Sequence, residues 1–436
     1  MQGIHLVKGR TFSCINPEHA DKNPSCGIYL GNGNTPMFHC FSCGCAGSIF
    51  EAEHFIEDKP LSGHGFLMDT VPYLASLFGV EIPRLDLNPE DLYEMETYQA
   101  YQHAAYIIRN SKPSERVQAR LAEYSWPKEV LSVIGIGSVA SYDDYLHKMT
   151  VTYGHKLEML KDIDLARKGL FNENNLIYTV KDEHGSPVGF AARDLRYEEK
   201  RGVYEKQVAE LSAQFGADKK SLKAAVDKLF KPRKYNNSAE SEYIDGGTWP
   251  KNTIFRKGSR LFNFDQAKKA TPPLEVFEGQ PDCVTAFANG MKNAAAIGST
   301  HFTEEHLDLI LNADPPIKHL IFTLDADEAG KKGTESFVKL LEEKLGGHPG
   351  LKVEIRVMPD GSDDPDRFIR TCGIQAFREL PKEELFSWRI KKAVENGEDP
   401  VLVANDAVAL ILNEPNMLFR REMTRAWRGP RGSKKL

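Results

Sequence analysis

No stretch of the chain approaches the ~18 consecutive apolar residues that a membrane-spanning helix requires. The N-terminus, MQGIHLVKGRTFSC, lacks the apolar core and cleavage pattern of a secretory signal. The expectation is a cytoplasmic protein with no membrane partner, in which thiols stay reduced. A basic surplus is missing as well: the formal net charge is −6 over 436 residues. That excludes a uniformly basic nucleic-acid coat but leaves room for local cationic tracks beside an acidic centre. Internal repeats and low-complexity tracts are also absent. What is there, 41% hydrophobic and 27% charged residues, is a globular composition, and the length calls for two or three domains.

Cysteine is scarce and unevenly placed. Five of the seven fall between residues 14 and 45, which in a reducing compartment points to a metal rather than disulfides. Cys14 and His19 form one short-spaced pair, and Cys40 and Cys43 form a CxxC pair. The segment between them, SCGIYLGNGNTPMFHC, reads as a hairpin turning at Gly31-Asn32-Gly33-Asn34. Three thiolates and one imidazole complete a tetrahedral Zn2+ site closed to water, hence structural. Cys26, Cys45 and His39 lie nearby. Cys26 alternates with Ile28 as a strand's core residue, and Cys45 is an alternative to Cys43. Phe38 and Phe41 either stack on bases or pack around the metal.

Further along, GSIFEAEHFIE reads as a short amphipathic helix and residues 58–90 as a partly ordered connector. Leu92 to Arg120 is helical in pattern, LSVIGIGSVAS reads as a strand and YDDYLHKM as a helix. Residues 176–195 form a hairpin turning at Glu183-His184-Gly185, and the charged stretch 198–232 pairs as a helical hairpin. From residue 274 strands and helices alternate: LEVFEG, PDCVTAFANG, AAAIGS, TEEHLDLILNA, KHLIFTLDAD, KKGTESFVKLLEEKL, KVEIRVM. This pattern implies a parallel sheet covered by helices, whose ligands bind beyond the carboxyl ends of the strands.

At those ends stand acids. Glu278 closes the first strand, Asp325 and Asp327 the third, and PDGSDDPD follows the fourth, with Asp364 and Asp366 converging on the same edge. In DxD both carboxylates share a face. Clustered carboxylates without thiol or imidazole suit Mg2+ or Mn2+. Asp282 is either a further ligand or a first-turn helix acid favoured by the dipole, and Lys331 or Lys332 is placed to touch a phosphate. The bland alternative is a solvated acidic edge.

These residues carry a resemblance. EVFEGQPD, FTLDADEAGKKG and DDPD resemble the three motifs of the Toprim domain, and CINPEH…NPSC…FHCFSCG resembles the zinc motif of bacterial-type (DnaG-like) primases. Between them, GFAARDL, KYNNS and IFRKGSRLF resemble that family's basic N-terminal subdomain. The resemblance implies an α/β fold: a Toprim parallel-sheet core, a mixed α+β basic subdomain and a small N-terminal β zinc ribbon. It divides the chain into a ribbon at 1–57, a linker at 58–91, and a basic subdomain at 92–272 with the insertion 198–232. A catalytic subdomain at 273–375 and a short helical segment with a basic tail at 376–436 complete the division.

The implied activity is DNA-dependent RNA primer synthesis, a two-metal nucleotidyl transfer from NTPs on a single-stranded DNA template, with a replicative helicase as a further partner. By similarity Glu278, Asp325 and Asp327 hold the catalytic Mg2+ or Mn2+ with help from Asp364 and Asp366, and Glu278 serves as ligand or base. Arg193, Lys234, Tyr235, Asn237 and Lys257 match the template and nucleotide track.

The sequence departs from the family at several points. Cys14-x4-His19 is wider than the family's usual pair, Asp363 competes with Asp364, and Tyr124 stands where an arginine is frequent, weakening one template contact. The insertion 198–232 has no counterpart in the compact family pattern. The short flanks on either side point to a phage or mobile-element primase, or to a shortened chain. A Toprim nuclease and a non-catalytic single-stranded DNA-binding protein are the alternatives.

Overall fold

A computed structural model describes residues 11–323 apart from 18, 31–35, 58, 62–64, 83–88, 217, 240–253 and 299–300. It also describes residues 337, 340–341, 351–359 and 364–385, and part of the C-terminal region including 399–413. Among the described residues the strands form three sheets, of three, four and five strands.

The first sheet is built on β1 (Cys26–Leu30) and β2 (Pro36–Cys40), antiparallel with Cys26 opposite Cys40 and Ile28 opposite Phe38. Strand β3 (Ala46–Gly47) pairs with β2, and the expected helix α1 (Ile49–Glu57) follows, burying Glu53 while Ile49 and Ile56 stay exposed. Arg109 reaches back to Glu57 at 2.7 Å, tying α1 to the next layer.

The stretch expected to be a connector contains regular structure: a π-helical turn, Phe66–Thr70, runs into α2 (Val71–Phe78). Its prolines and glycines act as helix punctuation. Pro72 sits in the first turn of α2, and Gly79 closes the helix at φ +63°. A buried ion pair, Lys59 to Asp69 at 2.8 Å, fixes the approach.

Helix α3 (Pro89–Asn110) buries Ala100, Tyr101, Ala104, Ile107 and Ile108, one stripe at helical spacing. Lys112 and Pro113 separate it from α4 (Glu115–Tyr124), whose N-cap Ser114 accepts the Val117 N–H. The segment LSVIGIGSVAS, expected to be a strand, is mostly α5 (Lys128–Ile134) with only a two-residue β4 (Ile136–Gly137) after it. Extended Pro127 starts this helix, Gly135 ends it at φ +87°, and Val130 and Ile134 bury one turn apart. End signals and burial thus override β-branched propensity.

Helices α6 (Tyr142–His147) and α7 (Leu157–Asp162) lead to the hairpin β5 (Asn175–Lys181) and β6 (Pro187–Asp194). The insertion forms α8 (Tyr197–Phe215) and α9 (Lys219–Val226) before β7 (Tyr235–Asn237) joins the edge of β6. Tyr101, Tyr145, Phe171 and Phe190 fill the core beneath this antiparallel sheet.

The last sheet runs β12-β11-β10-β8-β9. Its parallel members are β8 (Leu274–Phe277), β9 (Ala294–Ala296), β10 (His319–Thr323) and β11 (Lys352–Arg356), with β12 (Lys382–Glu384) antiparallel at one edge. Near-continuous apolar strands such as LEVF, buried throughout, are what a doubly covered parallel sheet demands. Helices α10 (Gln280–Ala288), α11 (Glu304–Leu311), α12 (Pro365–Cys372) and α13 (Ile374–Glu379) accompany it, and α14 (Pro400–Asn413) lies beyond. One hydrophobic cluster joins this sheet to the antiparallel one: Trp126, Ile134 and Tyr178 pack with Phe277, Val284 and Phe287. No described helix is long and apolar enough to cross a membrane.

Candidate metal centres and nucleic-acid interface

In the ribbon, Cys14, His19, Cys40 and Cys43 bring their ligand atoms within 4.8 Å of one another. Cys14 Sγ lies 3.7 Å from Cys43 Sγ, and Cys40 Sγ lies 3.7 Å from His19 Nδ1. A tetrahedron with Zn–S bonds of about 2.3 Å has S···S edges of about 3.8 Å, so the cluster has the size of a zinc site. The knuckle is shaped by the Cys43 N–H pointing at Cys40 Sγ (3.4 Å) and by Gly44 at φ +78°. Burial raises the Cys40 thiol, but hydrogen bonds from the Cys43 N–H, the Ser25 hydroxyl and the Ser42 N–H outweigh it and lower it to about 5. Burial raises the Cys14 thiol instead, so it is the geometry of the four ligand atoms that marks the site.

Cys45 Sγ stands 3.4 Å from Cys14 Sγ, yet Cys45 is outside the group of four. Cys26 is buried in β1, and burial pushes its thiol up to about 12. Two residues escaped the sequence reading. Asp21 accepts from the N–H of Cys14 (2.8 Å) and from both donors of Ser25, so it folds the wide Cys-x4-His loop inward. Ser25 in turn sits 3.1 Å from Cys40 Sγ. Phe38 packs edge-on against Phe55 in the core, whereas Phe41 is 75% exposed with one edge against the His39 ring at 4.9 Å.

At the parallel sheet, Glu278 follows β8 directly, half-buried, with its carbonyl accepting the Gly298 N–H at 2.9 Å. Asp364 is the exposed N-cap of α12 and accepts the Arg367 N–H at 2.8 Å. Asp366 is buried, held by Arg370 through Nε (3.1 Å) and Nη2 (2.8 Å) and by the Thr285 hydroxyl at 2.5 Å. Asp282, in the first turn of α10, accepts the Asp366 N–H at 2.9 Å. Asp364 therefore stands exposed, while Asp282 and Asp366 stitch α10 to α12. Asp325, Asp327, Asp363, Lys331 and Lys332 lie outside the described residues.

In the antiparallel sheet, Arg193 on β6 is in register with Tyr235 on β7, and its guanidinium lies 5.9 Å from the Tyr235 ring. It donates to the Tyr124 hydroxyl at 2.7 Å. Tyr124 is buried and stacked on Trp126 at 4.0 Å between ring centres, so it braces Arg193 rather than meeting solvent. Burial raises the Tyr235 phenol; Arg193 opposes this, while the carboxylates of Asp282 and Asp364 push it further up. The KYNN strand therefore lies within electrostatic reach of the acidic edge. Asn237 accepts from Arg167 through its carbonyl, and Lys234 is exposed. Lys257 opens a short 3-10 turn, Lys257–Ser259, and its side chain lies outside the described ones.

No local pattern announces the joint behind these residues. Trp126 Nε1 donates to Thr285 Oγ1 at 2.8 Å, Thr285 donates to Asp366, and Arg370 lies 5.6 Å from the Tyr124 ring. Partners 159 and 81 residues apart leave no local pattern to read.

A Toprim-like family model matches residues 275–369. A DNA primase of Enterococcus faecalis is 24% identical over 96% of this chain and 63% of its own length. The chain thus spans less than two thirds of that relative. The zinc-binding and RNA polymerase domains of Aquifex aeolicus primase superpose with a TM-score of 0.59 at 20% identity, covering 98% of this chain and 91% of that one. A DnaG primase catalytic domain bound to single-stranded DNA gives 0.54 at 20% identity, covering 76% of this chain and 95% of that one. The chain is thus similar in sequence to DNA primases, matches a Toprim-like model over residues 275–369, and shares the fold of the primase zinc-binding and RNA polymerase domains.

Proposed function

We propose that the chain is a DNA-dependent RNA primase, a nucleotidyltransferase that makes short RNA primers from NTPs on single-stranded DNA. The observation that carries this reading is the joint between the two sheets: Tyr124 holds Arg193 at 2.7 Å and stacks on Trp126, whose Nε1 donates to Thr285, and Thr285 binds Asp366 two residues from Asp364. A cationic track beside clustered carboxylates suits a template strand and a triphosphate at once. The single-stranded DNA bound to one structural neighbour supports the same partner.

Glu278, Asp325 and Asp327, joined by outward-facing Asp364, would hold Mg2+ or Mn2+; oxygen donors without thiol or imidazole fit these hard cations. When bound, the cations neutralise the triphosphate and activate the primer hydroxyl. The protein's own contribution is orientation. Arg193, held by Tyr124 and flanked by Tyr235, presents a fixed cation to phosphates, and Asp366, Thr285 and Asp282 hold Asp364 in place. Cys14, His19, Cys40 and Cys43 hold one structural Zn2+, and exposed Phe41 offers a ring to the template.

The test is incubation of the chain with Zn2+, Mg2+ or Mn2+, labelled NTPs and a library of single-stranded templates. Short oligoribonucleotides are expected, and none from Asp325→Ala. No product from any template sinks the proposal, and NTP-independent plasmid nicking would replace it with a nuclease.

A further inference from the structure

The insertion that the family pattern does not explain closes two adjoining cavities at the edge of the antiparallel sheet. One, of about 300 Å³, is lined by Lys168, Arg196, Lys200 and Arg233 with Asp194 and Glu173, four cations against two carboxylates. Asp194 is consumed by Lys200 and Arg196, and Glu173 accepts from Asn174. Lys168 and Arg233 have no acidic partner among the described residues. The second cavity, of about 330 Å³, is largely apolar, with Val203, Tyr204 and Pro232 in its walls. Lys200 and Phe230 border both. Phe230 is 80% exposed, an aromatic ring held out between a cationic hollow and an apolar one.

We propose that this paired hollow binds one segment of single-stranded DNA outside the catalytic centre, with Phe230 stacked on a base and Lys168 and Arg233 on the neighbouring phosphates. Alternation of a charged backbone with a planar, weakly polar base is what the two cavities match in sequence. Strand β7 connects the site to the catalytic edge. Its residues alternate sides, so Asn236 lines the cationic cavity while Tyr235 faces Arg193 and the acids. Because β7 is the edge of its sheet, a nucleic-acid strand that passes around this edge reaches both sides. The inference rests on the primase reading for its partner, and it gives the helices α8 and α9 a purpose: they supply the wall carrying Lys200, Val203 and Tyr204 and lead into Phe230.

The experiment is fluorescence anisotropy of a labelled mixed-sequence single-stranded oligonucleotide with the full chain, over a range of salt. Phe230→Ala is expected to bind about tenfold more weakly and Phe230→Trp about as well as the parent. Lys168→Glu combined with Arg233→Glu should weaken binding and flatten the log–log salt slope by about 1.4, two contacts at about 0.7 each. Circular dichroism checks that these exposed substitutions leave the fold intact. If the parent binds and all three variants bind equally well, this site is refuted while the primase reading stands. A parent that binds no single strand overturns both. Equal competition by a blunt duplex overturns the stacking role of Phe230.

Discussion

Replacing Thr285 by valine keeps the shape of a fully buried side chain and removes one hydroxyl. That hydroxyl accepts from Trp126 Nε1 and donates to Asp366. Without it the Trp126 N–H is a buried donor with no acceptor, at a cost of about 1–3 kcal/mol, and Asp366 loses a charge-assisted bond worth about 1.5–3 kcal/mol. Asp366 keeps both contacts to Arg370, so its partner is retained and the two terms add without a further penalty for an unpaired buried group. The expected loss is about 3–5 kcal/mol. Urea unfolding followed by far-UV circular dichroism measures it. The companion is Trp126→Phe, alone and combined with Thr285→Val. Once the indole N–H is gone the valine leaves no orphan there, so the double variant should be about 1–2 kcal/mol more stable than the two losses summed. A Thr285→Val loss below 1 kcal/mol, or strict additivity, would refute the claim that this hydroxyl joins α10, α12 and the Trp126 loop.

Three further outcomes follow from the geometry. Metal analysis should give close to one zinc per chain for the parent and for Cys45→Ser but much less for Cys43→Ser; the reverse would move the fourth ligand to Cys45. Burial holds His103, 2.8 Å from His155 and stacked on Tyr153, down to about 3, and lowers His155 too. An unfolded histidine titrates near 6.5, so the unfolded chain takes up protons that the folded one refuses. This stability is present above pH 6.5 and is lost as pH falls towards 3, by up to about 1.4 kcal/mol per unit per histidine. Urea midpoints at pH 7.5 and 5.5 should differ less in His103→Gln than in the parent, and an unchanged difference would contradict the burial argument. Finally, Arg356 donates to Glu275 at 2.6 Å with both side chains buried. Arg356→Met should cost about 3–5 kcal/mol in thermal unfolding, most of it recovered by adding Glu275→Leu; a fully additive pair would deny the coupling.

What could be read directly was whatever the chain states within a few residues. Cys14 with His19 and Cys40 with Cys43 announce a metal because each pair spans one turn. The alternation after residue 274 announces a parallel sheet because strand and helix periods differ. Glu278 stands at the end of β8, where the periodicity puts a strand end, while Asp325 and Asp327 lie outside the described residues. The segment LSVIGIGSVAS misled because β-branched residues say strand, while Pro127 and Gly135 set the ends of a helix whose buried residues join the cluster of α10.

Sequence alone therefore determined the ribbon and the order of the sheets, both consequences of spacing and periodicity. Tertiary structure decided how those residues are used. Asp366 is tied to Arg370 and Thr285 while its neighbour Asp364 faces outward; Tyr124 braces Arg193 instead of touching a template; Phe230 stands between two hollows. The physical reason is that a carboxylate or a ring has the same identity in either role. Only the partners that folding brings within 3 Å, from up to 159 positions away, settle which one it takes.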